Sequence, residues 1–244
     1  MVKSGKSSEP IAPLRTAVSG PVPRRYKENL EDKIYDRLKA MIVDRALLPG
    51  ERLQLTKLGT EMRVSRTPLI NALKRLAAER LVEWVNRHGF YVRRFTRREM
   101  ADLFEIRVAL ESLAARLATE RMRDAEIEEL EAMFRGLEVP ANEETPWSYV
   151  ILDRQFHWRI VELSGNPQLV TALGSINMQI FAYQFGMSRS MAESLPEHHE
   201  ILRALRNRDA ALCEQLMREH HGRTTARLRQ VADQEEHGRQ EKSA

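Results

Sequence analysis

The stretch that decides the fold of the first half of the chain is residues 47–92, LLPGERLQLTKLGTEMRVSRTPLINALKRLAAERLVEWVNRHGFYV. Two sets of apolar residues within it follow the spacing of a buried helix face. They are Leu55, Leu58 and Met62, then Leu69, Leu73 and Leu76. Ser65 suits the N-cap of the second of these helices, and Pro68 is tolerated in its first turn. The β-branched and aromatic segments LVEWV and FYVRRF follow, and the turn signal NRHG between them predicts a two-stranded hairpin.

The residues before this stretch predict one more helix. Its apolar positions, spaced i, i+4, i+7 and i+8, are Ile34, Leu38, Met41 and Ile42. Pro49-Gly50 lies beyond its end. Residues 1–25 are rich in Ser, Pro, Gly, Lys and Arg with little periodicity, so they predict a disordered basic arm. Three helices followed by a hairpin in residues 26–95 predict a winged helix-turn-helix, which is a DNA-binding unit.

In such a unit the third helix enters the major groove with its first residues toward the base edges. Arg66 can form two hydrogen bonds to guanine, and Asn71 can pair with adenine. Ser65 and Thr67 suit phosphate groups. The other predicted DNA contacts are Lys74 on the same helix and Arg87, His88 and Gly89 in the hairpin turn. The alternative is a small helical domain with an exposed basic face.

The charge distribution favours the DNA-binding interpretation. Residues 1–98 hold 22 Lys and Arg against 10 Asp and Glu, whereas the remaining residues hold 17 against 25. A basic half joined to an acidic half is typical of a polyanion-binding domain attached to a sensing or oligomerising domain. Chance unevenness of surface charge would give the same counts. A length of 244 residues is enough for two domains, each with its own core.

Composition also predicts the compartment. The single cysteine, Cys213, cannot form an intrachain disulfide, which favours a reducing environment. No apolar run is long enough to cross a bilayer, and the polar start lacks the apolar core of a signal peptide. We therefore expect a soluble cytoplasmic protein with no membrane partner.

From Thr96 onward the pattern is helical, so the fold class is mainly α. Thr96 and Glu99 form the T-x-x-E pattern of a capping box. A long apolar stripe follows, at Met100, Leu103, Leu110, Leu113 and Leu117. We expect residues 96–235 to form an all-helical effector-binding and dimerisation domain, and residues 236–244 to form a disordered tail.

Histidines are concentrated in this helical half. Within the two doublets, helical phase places His198 and His220 among apolar residues, and it places His199 and His221 on outward faces. Asp153 lies one turn before His157, close enough for both to bind one ion. Three imidazoles and a carboxylate aimed at a core are costly to bury unpaired, and these donors suit zinc, nickel, iron or manganese. The alternative for each histidine taken singly is a core residue satisfied by hydrogen bonds.

The residues of the first half resemble the DNA-binding domain of the GntR family of bacterial transcription regulators. The matching positions are Pro49-Gly50, Leu53, Val64-Ser65-Arg66-Thr67-Pro68, Ala72-Leu73, Leu81-Val82 and Gly89. Three positions depart from the family pattern. Ile70-Asn71 replaces the usual Arg-Glu of the third helix, and Arg80 replaces a Gly. An outward-facing Ile70 can meet only a thymine methyl, so the operator of this protein is expected to differ from the common one.

The second half resembles the FCD ligand-binding domain of the FadR-like subfamily. The matching motifs are R-x-x-L-E at 107–111, D-x-x-F-H at 153–157, G-N-P at 165–167, E-H-x-x-I at 197–201 and M-R-x-H at 217–220. The resemblance implies that Asp153, His157, His198 and His220 bind a divalent transition metal, with zinc first and nickel, manganese or iron as the others. Arg107, a lone cation on an apolar face, is expected to hold an effector carboxylate, the alternative being a salt bridge.

The resemblance implies a bacterial transcription regulator and not an enzyme. It would bind a two-fold operator on double-stranded DNA as a homodimer, nucleoid-associated while bound. A small organic acid would be its effector, and repression its action. Two alternatives stay open: a metal-dependent hydrolase, and a regulator with a purely structural metal. The hydrolase has less support because no separate general acid or base accompanies the ligands.

Overall fold

The computed structural model describes residues 30–141, 144–183 and 189–241. Its helices are α1 (Leu30–Val43), α2 (Leu55–Met62), α3 (Arg66–Ala78), α4 (Arg97–Arg121), α5 (Asp124–Phe134), α6 (Trp147–Leu163), α7 (Pro167–Tyr183), α8 (Met191–Arg206) and α9 (Ala210–Glu241). Its strands are β1 (Arg52–Leu53), β2 (Val82–Val85) and β3 (Gly89–Val92). The predicted mainly α fold, a winged helix-turn-helix followed by an all-helical bundle, is confirmed. The predicted basic arm at residues 1–25 lies outside the described residues.

The N-terminal unit combines α1, α2 and α3 with an antiparallel sheet in the order β1-β3-β2. The predicted hairpin forms β2 and β3, with Val82 opposite Val92 and Val85 opposite Gly89. Strand β1 is not predicted from the sequence, because two residues are too few to show an alternating pattern. The leucines predicted to face inward on α3 are all fully buried. They are Leu69, Leu73 and Leu76.

Polar contacts fix the third helix against the first. Arg75 Nη1 lies 2.6 Å from Asp32 Oδ1, and its guanidinium lies 4.1 Å from the centre of the Tyr35 ring. Lys39 Nζ lies 3.0 Å from Glu79 Oε2. Because these contacts flank the buried leucines, α3 is held in one orientation on α1.

Helix α4 begins with the predicted capping box. The Thr96 hydroxyl accepts from the Glu99 backbone N–H at 3.2 Å, and the Glu99 carboxylate accepts from the Thr96 N–H at 2.9 Å. The predicted apolar stripe is only partly right, since Leu113 is 39% exposed and only Met100 of the five is fully buried. The other members, Leu103, Leu110 and Leu117, are partly buried. Helix α4 packs against α6, α7 and α9, so its buried surface is wider than one stripe.

Helix α9 lies along α4 and continues beyond the predicted end of the domain. The disordered tail predicted for residues 236–244 is wrong up to Glu241, where the helix ends, while 242–244 lie outside the described residues. Ion pairs to α4 hold this polar segment. They are Arg97 Nε to Glu235 Oε1 at 2.6 Å and Arg98 Nη1 to Glu236 Oε2 at 3.7 Å. The sequence predicts disorder for a segment without an apolar stripe, because its ion-pair partners on α4 lie more than a hundred residues earlier in the chain.

The core of the N-terminal unit continues into the helical domain. Met100 and Phe104 of α4, Ile180 of α7 and Leu228 of α9 belong to the same buried apolar cluster as the α3 leucines. The two units are therefore joined by apolar packing and by the chain itself. None of the helices in the described ranges is both long and apolar enough to span a membrane.

Candidate metal centre

Four predicted ligands converge inside the helical domain. Asp153 and His157 lie on α6, His198 on α8 and His220 on α9. The Nε2 atom of His157 lies 3.2 Å from Nε2 of His220 and 3.3 Å from Nε2 of His198. Oδ1 of Asp153 lies 3.2 Å from the His198 Nε2 and 3.8 Å from the His157 Nε2. Two ligands about 2.1 Å from one tetrahedral ion lie about 3.4 Å apart, so these distances fit a shared ion.

The second nitrogen of each imidazole faces an oxygen atom. These contacts join His220 Nδ1 to Glu197 Oε2 at 2.8 Å, His198 Nδ1 to Tyr149 Oη at 3.0 Å and His157 Nδ1 to Glu111 Oε2 at 3.1 Å. The last contact is not aligned for a hydrogen bond. With Nδ1 protonated, every Nε2 lone pair points into the space between the rings. Such an arrangement is typical of metal-bound histidine, and lone pairs that face one another are unfavourable without a cation or a proton between them.

Burial and charge set the protonation state that a metal requires. Burial lowers the pKa of His157 to about 4 and that of His220 to about 3. Burial alone would raise the pKa of Asp153, but its hydrogen bond with His198 and the nearby imidazoles hold it well below the usual range. Near neutral pH these two imidazoles are uncharged and the carboxylate is ionised, so the donors are ready to bind a cation.

Glu111 and His221 are two functional candidates that the sequence reasoning missed. Glu111 is 1% exposed, and its carboxylate accepts from Arg107 Nε at 2.6 Å and lies 2.7 Å from His221 Nε2. The prediction that His221 faces outward is wrong, because α9 packs between α4 and α8 and buries this side as well. Glu111, His157 and His221 form a second group of converging donors. The R-x-x-L-E motif at 107–111 contains Glu111, and it was the sequence signal that could have identified this residue.

Glu197 is a third missed candidate. Its carboxylate lies between His220 Nδ1 and two guanidiniums, those of Arg189 and Arg223. The Nη2 of Arg189 lies 2.6 Å from Glu197 Oε1. Burial would raise the pKa of Glu197, but the hydrogen bonds with His220 and Arg189 hold it far below its usual range. A permanent negative charge therefore stands behind the His220 ring.

A small cavity lies beside the four converging donors. It has a volume of about 30 Å³, and its lining includes Asp153, His157 and His220 together with Arg107 and Arg189. Arg107 is thus placed at the predicted site, but it is not the isolated cation inferred from the sequence. It is 3% exposed and forms a buried ion pair with Glu111, one turn further along α4.

We expect the metal-free protein to lose stability as the pH falls from about 6.5 to about 4. Burial lowers the pKa of His157 and His221 to about 4, so the unfolded chain binds protons in this window that the folded chain excludes. Each imidazole then lowers the free energy of unfolding by up to about 1.4 kcal/mol per pH unit. Urea unfolding at several pH values in a chelator measures this slope. His199→Gln, at an exposed position, should leave it unchanged, and a flat profile would contradict the assignment.

The predicted DNA-contacting face of α3 is largely exposed. Ser65, Arg66, Thr67 and Lys74 are exposed, although the Ser65 side chain makes no capping hydrogen bond at its N-cap position. Asn71 is half-buried, and its amide donates to Glu31 Oε1 of α1 at 2.8 Å. Ile70 is partly buried against the core, so the expectation that it faces outward is wrong. Reading of a base by Asn71 would require release from Glu31.

The hairpin turn presents the predicted wing residues. Arg87 and His88 are exposed between β2 and β3. Arg87 and Gly89 have φ angles of 63° and 97°. Gly89 tolerates this conformation without strain, and a Cβ there would meet no atom within 4 Å. The tip is therefore open to a DNA backbone.

A winged helix-turn-helix with an exposed basic third helix, joined to a helical domain with a buried donor cluster, defines a DNA-binding transcriptional regulator. Residues 30–92 match the family model for bacterial regulatory proteins of the gntR family, and residues 102–223 match the FCD domain. The chain belongs to the GntR family of bacterial transcriptional regulators and carries an FCD domain, as the sequence motifs predict.

Known transcriptional regulators are similar to this protein over most of its length. The Nta operon transcriptional regulator of Aminobacter aminovorans is 34% identical over 176 residues, which are 71% of this chain and 82% of that protein. The galactonate operon transcriptional repressor of Escherichia coli is 24% identical over 227 residues, 83% of this chain and 98% of that protein. The structure of E. coli McbR/YncC matches with a TM-score of 0.67 at 23% identity, over 83% of this chain and 98% of that one, and so shares the fold.

Proposed function

We propose that this regulator is a metabolite-responsive repressor that binds a two-fold operator as a homodimer and is released or modulated by a small organic acid. The proposed effector site is the centre formed by Asp153, His157, His198 and His220. The observation that carries the proposal is the convergence of three buried Nε2 atoms and one carboxylate oxygen beside a cavity. The sign of regulation is supported by two relatives named as repressors, the galactonate operon repressor and GlaR of E. coli.

A divalent transition metal fits this donor set. Three imidazole nitrogens and one carboxylate suit zinc first, and nickel, manganese or iron as well. When bound, the ion would supply a positive charge beside the cavity that attracts a carboxylate of the effector. Glu197 and Tyr149 contact the Nδ1 atoms of His220 and His198 and so orient these two rings toward the proposed ion site. No residue of the chain is assigned a catalytic role.

The arginines of the cavity are suited to recognise the effector. A volume of about 30 Å³ admits about two water molecules, so an organic acid enters only if lining side chains move. Arg107 and Arg189 line this cavity, and each is paired with a carboxylate that contacts a proposed ligand. Glu111, the partner of Arg107, contacts His157, and Glu197 contacts His220. An acid that binds either guanidinium would therefore compete with Glu111 or Glu197, and so disturb the carboxylate that contacts a proposed metal ligand.

Helix α4 offers the route from the effector to the DNA-binding unit. Phe104 belongs to the apolar core shared with α3, and Arg107 lies one turn further along. Movement of Arg107 toward an effector would displace the same turn that packs into the N-terminal unit. The coupling free energy between two such sites is usually about 1 to 3 kcal/mol.

The outer face of α4 supports the homodimer. Ile106 is 47% exposed and Leu113 is 39% exposed, and they lie two turns apart on one helix side. A second copy that covers these residues would remove apolar surface from water. Light scattering at micromolar concentration measures the mass directly, and a monomer there would contradict this part of the proposal.

The proposal is tested by thermal unfolding with a panel of small mono- and dicarboxylic acids. An acid present at about 100 times its dissociation constant stabilises the folded state by about 2.7 kcal/mol, which raises the midpoint by several degrees. The zinc-loaded parent chain should show such a shift, whereas the metal-free chain and His220→Ala should not. Equal shifts in all three would place the acid away from the metal centre.

Replacement of Arg66 by Ala is expected to weaken binding to a selected operator by about 1 to 3 kcal/mol, because two hydrogen bonds to a guanine are lost. Binding to duplexes of random sequence should weaken less. The operator is selected from a random pool with the parent chain, and fluorescence anisotropy gives both affinities. Arg218→Ala, on the exposed face of α9, removes the same charge and should change neither affinity. An equal loss of affinity for the operator and for the random duplexes would show that Arg66 takes no part in sequence recognition.

A further inference from the structure

Among the described non-glycine residues, positive φ angles are confined to five arginines. They are Arg45, Arg63, Arg80, Arg87 and Arg208. This left-handed conformation costs energy for a residue with a Cβ, and glycine is the usual occupant. Arg63 and Arg80 have φ angles of 55° and 59°, and each follows the end of a helix of the DNA-binding unit. The two positions are therefore alike in backbone conformation.

The side chains of these arginines differ in what they contact. Arg208 donates to the carbonyl oxygen of Thr119 at 3.3 Å and to Asp124 Oδ1 at 2.5 Å, so its guanidinium joins elements of the helical domain. The guanidiniums of Arg63 and Arg80 are exposed, and neither has a hydrogen bond or ion pair within the described part of the chain. The backbone conformation is similar at Arg63 and Arg80, so it gives no reason to expect different roles for them. The two arginines differ in their location relative to α3.

Arg63 lies in the turn between α2 and α3, two residues before Ser65. Its backbone N–H donates to Thr60 O at 3.2 Å and anchors the turn. Two residues span at most about 7 Å, so the Arg63 backbone lies beside the N-terminal end of α3, the end that meets DNA in this fold. Arg80 follows the opposite end of the 13-residue α3, about 20 Å away along the helix axis.

We propose that Arg63 binds a DNA phosphate next to the groove that α3 enters, from a turn position whose backbone conformation suits glycine. The proposal rests on the DNA-binding function of the family and deepens it. A guanidinium with no partner among the described residues can form charge-assisted hydrogen bonds to phosphate oxygens. Such a contact strengthens binding to every sequence equally and carries no base preference.

The test uses the salt dependence of binding to a duplex of arbitrary sequence, so no operator is needed. The full-length parent, Arg63→Gly, Arg63→Lys and Arg80→Gly are titrated by anisotropy between about 50 and 200 mM salt. Glycine accepts positive φ, so both glycine variants should unfold at or above the urea midpoint of the parent. Loss of one phosphate contact reduces the slope of log K against log[salt] by about 0.9 and weakens binding roughly three- to tenfold at about 0.1 M salt.

Arg63→Gly should show both effects. Arg63→Lys should keep the slope of the parent because it keeps the charge, and Arg80→Gly should bind like the parent. If Arg63→Gly kept the salt slope of the parent, the proposal would be overturned. An equal loss of affinity and slope in Arg80→Gly would also overturn it, since both losses would then reflect net charge only. A parent chain that binds no duplex would instead refute DNA binding itself, and the contact with it.

Discussion

His157→Ala and His198→Ala are each expected to reduce the affinity for zinc by more than about 100-fold, since loss of a direct ligand should cost more than loss of a supporting hydrogen bond. Each variant removes one of three converging Nε2 atoms. After dialysis against a zinc buffer, elemental analysis should find about one ion per parent chain and almost none per variant. His199→Ala is the matched control, because His199 adjoins His198 in the chain but is exposed and does not belong to the converging donor group.

Each outcome of this measurement has a structural meaning. Stoichiometric zinc in either ligand variant, together with a native circular dichroism spectrum, would refute the proposed ligand set. Loss of zinc in the His199 variant as well would show that the measurement reports general damage to α8. Glu197→Gln should lie between these cases, with affinity lower by about 10- to 100-fold, because Glu197 supports the His220 ring without facing the ion.

Glu111→Ala is expected to lower the free energy of unfolding by about 3 to 5 kcal/mol, the usual cost of breaking a buried ion pair by removing one partner. The substitution leaves the Arg107 guanidinium buried without its carboxylate and removes the acceptor of His221. Urea unfolding of the metal-free protein near pH 7 measures the loss. Metal-free conditions separate this effect from any change in zinc binding.

Two controls separate burial from charge. Glu120→Ala breaks the Arg116–Glu120 pair, which has the same i,i+4 spacing on the same helix but is exposed, and should cost less than about 0.5 kcal/mol. The double variant Arg107→Met with Glu111→Leu should recover the part of the loss that comes from the unpaired Arg107 guanidinium, since apolar residues of similar volume replace a buried pair at little cost. The part that comes from the lost acceptor of His221 should remain. A Glu111 variant as stable as the Glu120 variant would show that the pair is not held in a dry interior.

The sequence predicts the converging ligands because each depends on local helical phase. Asp153 and His157 are one turn apart on α6, and the apolar neighbours of His198 and His220 mark those two as the inward members of their doublets. The same rule failed for His221. A helix packed on two sides buries both members of a doublet, and the number of neighbours around α9 is a property of the tertiary structure.

Supporting residues were not predictable for a related reason. Glu111, Glu197 and Tyr149 contact imidazoles on other helices, between 23 and 110 positions away in the chain. A buried carboxylate looks like a surface charge in sequence, because periodicity counts apolar residues only. The salt-bridge alternative for Arg107 is the contact that forms, and its partner Glu111 belongs to the same R-x-x-L-E motif.

In the DNA-binding unit the helices and the hairpin were predictable from the sequence, but the contacts of individual side chains were not. Turn residues and apolar spacing predict α2, α3 and the hairpin, all of which form. Asn71 is occupied by Glu31 of α1, a residue 40 positions earlier that no local pattern links to it. Ile70 likewise packs toward the core instead of facing outward.

Phe104 and Arg107 occupy consecutive turns of α4, the first in the core of the DNA-binding unit and the second beside the donor cluster. The closeness of these two residues limits how the protein can evolve. A substitution at Phe104 that is selected because it adjusts the packing of the N-terminal unit also shifts the guanidinium that lies 5.4 Å from its ring. Under the proposed function, a substitution here therefore changes effector preference and operator affinity together, and duplication followed by divergence of one trait should leave a record in the other.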